Sequence, residues 1–227
     1  MTLLFAHSLA CPASIPCAMV TPATSVEALL ALAIRHVNAG QGARARLLCE
    51  QAAQSHPPHP AVHQLLAVLD LQQGAYAQAL QHAAASLALR PDHLPTLRVA
   101  ADAARAAGDL RAASTALERL VSLAPAQADA WFDLALVRQD LHDLGGAALA
   151  LRQVLQLTPE RAEAAVNLGI VLQEDGQIDA AMRAYGRAYR LRADSFGRIA
   201  HALSTPNMGR LWLSLDDWRS VLRATAD

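Results

Sequence analysis

Histidines are the first candidates for chemistry, and most fall early in the chain: His36, His56, His59, His63, His82 and His93. His59 and His63 have the four-residue spacing that sets two imidazoles on one helical face, as in a zinc-binding pair. The run His56-Pro57-Pro58-His59-Pro60 is a turn, however, so His59 precedes any helix. No carboxylate or cysteine at suitable spacing completes a ligand set, and solvated turn histidines without a metal are expected. Arg183, Arg187 and Arg190 fall on one face of a helical stretch, with Arg192 and Arg198 nearby. Such a face either attracts phosphate or an acidic partner or is simply solvated. Gly145-Gly146 is an isolated pair, not a phosphate-cradling loop, and no serine, histidine and aspartate are spaced as a nucleophile with its base. A non-catalytic chain without a cofactor follows.

The three cysteines, Cys11, Cys17 and Cys49, are too few and too uneven for a disulfide framework. Cys11 and Cys17 could pair in an oxidising compartment, whereas Cys49 reads as a small buried apolar residue. Apolar residues make up 53% of the 227, aromatics only 4% and charged residues 17%. A core dominated by Ala and Leu favours close-packed helices over sheets. The net charge of −1 and pI near 6.7 argue against a nucleic-acid partner. Every side-chain cation apart from histidine is Arg, and Lys is absent; this reads first as a GC-rich bacterial genome. No run approaches the roughly 18 apolar residues of a membrane span. Met1 to Ala10 lacks the basic residues that open a signal peptide, so a cytoplasmic protein is expected. Ser8-Leu9-Ala10-Cys11 faintly resembles a lipoprotein cleavage box, which leaves export or lipid anchoring as the minor alternative.

The elements that must position these residues announce themselves by period. Pro57, Pro91, Pro125 and Pro159 are each 34 residues apart, and extending that step divides the chain into 26–59, 60–93, 94–127, 128–161 and 162–195 without an insertion. One column is small throughout (Ala33, Ala67, Ala101, Ala135, Gly169), and another is always Ala (Ala45, Ala79, Ala113, Ala147, Ala181). Between them runs Gly40, Gly74, Gly108, His142 and Gly176. Two helical stretches flank this turn column in each unit. Glycine tolerates the positive φ that ends a helix, small residues let paired helices approach, and proline stops the second helix. One such hairpin cannot bury its apolar face alone, so the units must stack.

These columns resemble the tetratricopeptide repeat (TPR), whose period is 34 residues. The best local matches are Trp131, Leu134 and Ala135 in the fourth unit, and Leu168, Gly169, Gly176, Ala181, Tyr185 and Ala188 in the fifth. His63 replaces a large apolar residue of that pattern, and His142 replaces the turn glycine. The resemblance implies an all-α, right-handed superhelical solenoid of antiparallel helix pairs. It implies a concave groove lined by the first helix of each unit, with Ile34, Val68, Asp102, Leu136 and Ile170 in one column and Leu30, Gln64, Arg98, Phe132 and Val166 one turn earlier. Gln72, Arg105, Asp129, Asp133, Asp140, Asn167 and Glu174 supply polar edges. These residues either pack between neighbouring helices or form an exposed apolar stripe that takes an amphipathic helix or extended peptide. One subtype of the family clamps a C-terminal carboxylate with Lys and Asn. Here Arg98 and Asn167 are the only substitutes, two units apart, and such a clamp is not expected.

Residues 1–25 carry Pro12, Pro16 and Pro22 and no helical period, and read as a flexible segment. Residues 196–203 begin a sixth unit, which Thr205-Pro206-Asn207-Met208-Gly209 breaks. Arg210 to Leu213 could be extended, and Ser214 with Asp217 resembles a capping box for a last helix. This end, 196–227, either caps the fifth unit or docks a partner or second copy through Trp212 and Trp218. The expected function is a protein–protein interaction scaffold. A co-chaperone for a secreted or aggregation-prone client, and a regulatory subunit of an enzyme complex in envelope or glycan metabolism, are the alternatives.

Overall fold

The computed structural model describes residues 25–204 and 215–224, the latter without the side chains of 215–218. Ten helices alternate in lengths of 13 and 14 residues: α1 (Val26–Asn38), α2 (Gly42–Ser55), α3 (Pro60–Gln72), α4 (Tyr76–Leu89), α5 (Leu94–Ala106), α6 (Leu110–Leu123), α7 (Ala128–Asp140), α8 (Leu144–Leu157), α9 (Ala162–Glu174) and α10 (Ile178–Leu191). A 3₁₀ turn over Ala193–Ser195 leads into α11 (Phe196–Ser204), and α12 (Leu215–Ala224) follows. No strand occurs among the described residues, and each of α1 to α9 packs on the next helix.

The turn inside each hairpin is built the same way five times. The third residue past the helix donates its N–H to the carbonyl five positions back: Gln41 to His36, Ala75 to Asp70, Asp109 to Ala104, Asp143 to Arg138 and Gln177 to Leu172, with N–H···O distances of 2.8 to 2.9 Å. This closure needs a left-handed residue just before it. Gly40, Gly74, Gly108 and Gly176 supply it at φ of 70 to 79°, and His142 adopts it at 60° despite its Cβ. Asp109 and Asp143 then cap the following helices, each accepting a backbone N–H three residues on at 3.0 Å. At the other end of each hairpin, the residue after the second helix is extended. Proline follows it in four units and enforces that shape, yet Arg192 is equally extended with Ala193 after it. Stacking on the next element therefore holds this turn without proline's help.

The small columns are where the helices touch. Ala33, Ala67, Ala101, Ala135, Ala45, Ala79, Ala113, Ala147 and Ala181 are all buried. The fifth unit differs in one matched pair. Where earlier units place Cys49, Ala83, Leu117 and Leu151, it places Tyr185, whose ring lies so close to Gly169 that a Cβ there would meet it at 2.3 Å. Tyr185 is fully buried, donates its hydroxyl to Gln173 at 3.0 Å, and Gln173 donates onward to the Ala202 carbonyl at 2.8 Å. One aromatic thus ties α9, α10 and α11 together. Burial pushes the Tyr185 hydroxyl above its ordinary pKa, so it stays a donor.

The core is not uniform along the stack. Large apolar clusters join the first two units and, separately, the third unit onward. Between the second and third units Ala67, Ala83 and Val99 form a small buried cluster of their own, while Leu80 and Leu87 of α4 pack against the Leu97 cluster of the third unit. A polar chain runs beside them: the Ser86 hydroxyl donates to the Pro60 carbonyl at 2.9 Å and lies 3.3 Å from that of Thr96, which is 2.8 Å from His93 Nδ1. At the far end, Ile199 and Leu203 of α11 and Leu222 of α12 bury into the core of the fifth unit, with α12 lying on α10. The guanidinium of Arg219 sits 4.7 Å from the Phe196 ring centroid, and that of Arg223 sits 5.9 Å from Tyr189. Trp212, Cys11, Cys17 and the extended segment expected over 210–213 lie outside the described residues, as does the Trp218 side chain.

Two stability predictions follow from these contacts. His142→Gly removes a Cβ from a left-handed position and should stabilise the protein by about 1 kcal/mol, read as a higher urea midpoint with an unchanged slope. Gly169→Ala gains helix propensity worth ~1 kcal/mol but drives a methyl into the Tyr185 ring, and overpacking of this kind costs about 1–3 kcal/mol. A net loss in thermal midpoint is expected, and adding Tyr185→Leu, which copies the Ala135–Leu151 pairing of the fourth unit, should recover part of it.

Candidate functional site

The curvature of the stack identifies its inner face. Among first helices, α3 approaches α5 and α9 approaches α11, whereas the second helices α2, α4, α6, α8 and α10 come no closer than this to one another; α12, which lies on α10, belongs to the closing end. The inner face is therefore the row of first helices. Each presents its residues with helical spacing, so one position per unit repeats down the groove.

Only one of the two expected columns is open. Ile34 is 49% exposed, and Val68, Asp102, Leu136 and Ile170 are half-buried. One turn earlier, Leu30, Phe132 and Val166 are buried at 8%, 7% and 1%. They fill the crevices between adjacent first helices, and Gln64 and Arg98 are half-buried in the same column. Phe132 is also roofed by the Arg161 guanidinium, 4.2 Å from its ring centroid, which Asp129 holds at 2.6 Å. The apolar surface is thus a single row rather than a two-residue stripe. Asn167 is buried too, and its amide oxygen accepts from Arg198 Nη2 at 2.9 Å. Arg98 is engaged by Asp133 in the next unit, so neither residue considered for a carboxylate clamp faces the other. Glu174, on the rim, accepts from Gln139 Nε2 at 3.0 and 3.1 Å.

Charge interrupts the apolar row at its middle. Arg98 donates to Asp133 and not to Asp102, whose carboxyl stands close by. Burial raises the Asp102 pKa, Arg98 works against that rise, Asp133 adds to it, and Arg105 opposes it more weakly. A carboxyl whose folded pKa is raised stabilises the fold below its unfolded value and loses that contribution as pH climbs through the folded value. Ionised Asp102 therefore costs stability at neutral pH. Asp102→Asn should raise the thermal midpoint at pH 7, and the gain should shrink toward acid pH, where wild-type Asp102 is itself protonated.

A second polar cluster was not apparent from the sequence. Asp70, 2% exposed on the last turn of α3, accepts from Arg46 of α2 and lies 2.6 Å from His82 Nδ1 of α4. His63 stacks on His82 with centroids 6.2 Å apart, and burial, then His82, hold its pKa below the ordinary imidazole value. A buried carboxylate with two positively polarised partners binds three helices together. Its only sequence signal is an acid in a column otherwise occupied by His36, Ala104, Arg138 and Leu172. Cys49 is buried, and its thiol is pushed up to about 11 by that burial, which keeps it protonated and inert. His59 immediately precedes α3, as the prolines around it imply. Among the described residues, no three His, Cys, Asp or Glu side chains converge as metal ligands would, and no helix is long and apolar enough to cross a membrane.

The repeated hairpin, its small columns and its inner row define a helical-repeat protein of the interaction-scaffold class. The chain belongs to the tetratricopeptide-repeat family, whose pattern matches residues 30–93, 98–138 and 133–197. Solved structures agree on the fold. YrrB, described as a TPR protein with an unusual peptide-binding site, superposes with a TM-score of 0.75 at 15% identity, over 81% of this chain and 94% of that one. MamA superposes at 0.69 with 17% identity, over 75% and 93%. MamA residues 41 to the end from Desulfovibrio magneticus RS-1 give 0.67 with 20% identity, over 74% and 96%. No curated protein matches by sequence.

Proposed function

We propose that the protein is a non-catalytic scaffold whose inner face takes a segment of a partner protein, with 26–195 as the binding body and 196–227 as its closing end. The observation that carries this reading is the open row Ile34, Val68, Asp102, Leu136 and Ile170, one residue per unit, on the face that the curvature gathers together. Contiguous apolar surface of this sort is uncommon where nothing binds. Two features give the partner a shape. Apolar positions lie on either side of Asp102, and Asp102 keeps a negative charge that the Arg98–Asp133 pair leaves unmatched. A segment with apolar side chains flanking a basic one complements that order. The peptide-binding site named for YrrB is consistent with a peptide ligand on this fold. An ionised Asp102 that costs stability in the free protein is also what a binding position looks like when function, not folding, retains it.

Val68→Asp with Leu136→Asp tests the reading, because both side chains are half-buried and accept charge without opening the core. Co-purification from the native cell, followed by mass spectrometry, should enrich a partner with wild type that the double variant loses while its circular dichroism stays helical. The same partners on the folded variant would place binding elsewhere.

A further inference from the structure

The outer face carries a feature that the inner groove leaves unused. Where α8 and α10 diverge, a shallow trough opens, with Leu155, Leu168 and Leu172 at its floor and Arg152, Arg183 and Arg187 around it. The same three cation positions hold Glu118, Leu149 and Gln153 one period earlier, Ala84, Thr115 and Arg119 before that, and Glu50, Gln81 and Ala85 at the first seam. Three arginines converge at the last seam and at no earlier one.

Their charges are not spent within the fold. Arginines that bridge units elsewhere meet acids, as in Arg46–Asp70, Arg119–Asp92, Arg138–Glu118 and Arg98–Asp133. Arg152 and Arg183 are exposed and make no ion pair among the described residues, and Arg187 donates to the neutral Pro159 carbonyl at 3.0 Å. Glu160 lies in the adjoining hollow beside Arg187. Apolar surface continues on α8, where Leu149 stands 64% exposed one turn before Arg152.

We propose that this trough is a second docking surface, which takes a short amphipathic segment of a partner protein bearing acidic and leucine-like residues on one face. Uncompensated arginines around an apolar floor select that pairing, because guanidinium groups bind carboxylates while the floor excludes water. Single-stranded nucleic acid fits poorly, since its sites use aromatic side chains as stacking platforms and none lines the trough. A membrane surface is recruited by clusters of about 4–8 basic residues; three line this trough, and in the adjoining hollow Arg190 is engaged by an interaction of its own and Glu160 adds a negative charge.

The test is a random peptide library displayed on phage and panned on three folded proteins: wild type, Arg152→Glu/Arg183→Glu, and the groove variant Val68→Asp/Leu136→Asp. Wild type should enrich a class of peptides combining Asp or Glu with large apolar residues at helical spacing. Synthetic copies should bind the groove variant unchanged and the arginine variant at least about tenfold more weakly, and high salt should weaken them. Failure to enrich that class, or its equal binding to the arginine variant, overturns the proposal. Peptides lost only on the groove variant report on the inner face instead, so the two surfaces fail independently. Flotation with phosphatidylglycerol vesicles closes the remaining route: vesicle binding that the arginine variant loses, with no acidic peptide enriched, would reassign the trough to membranes.

Discussion

A two-helix hairpin with one apolar face has no stable existence by itself, and this molecule is organised around that constraint. Each hairpin buries its face on the next, and the close approach this demands is met by alanine at one fixed position per unit and by alanine or, in the fifth unit, Gly169 at another. The left-handed turn that reverses the chain, the extended residue that starts the next unit, and the curvature that gathers the first helices all serve the same contact. The inner row exists because the first helices are drawn together. The outer trough exists because the second helices are not.

The stack is continuous but unevenly made. Apolar clusters dominate both ends, while the seam between the second and third units combines the hydrogen-bonded Ser86, Thr96 and His93 with Leu80 and Leu87 packed on the Leu97 cluster. A hydrogen-bonded seam contributes less than an apolar one of the same area, since each bond formed replaces one to water. The Arg98–Asp133–Asp102 group begins just beyond that seam, so the polar middle of the groove lies next to its hydrogen-bonded chain.

How much could be read from the sequence depended on whether a feature was local. The turn column was legible because left-handed geometry has a residue signature, and even His142 betrayed itself by standing in a glycine's place. The small columns were legible because close approach permits few residue types. Burial within the groove was not. Leu30 and Ile34 are both apolar and one turn apart, yet one is covered and the other open, and only the angle between neighbouring helices decides which. The Asp70 cluster was hidden for a related reason: its partners lie 24 and 12 positions away, and no period links Arg46, Asp70 and His82. The pairing of Arg198 with Asn167 likewise joins residues that belong to successive units.

The Tyr185–Gly169 contact bears on how such a chain can be copied and recombined. A ring in one helix and a missing Cβ in the other form a lock and key inside a single hairpin. Whole hairpins can therefore be duplicated or exchanged as cassettes, with breakpoints falling between one unit and the next. A crossover inside the unit, at the glycine turn, would join α10 to a first helix carrying alanine and jam the ring. The fifth unit thus marks where a gene of this design tolerates being cut.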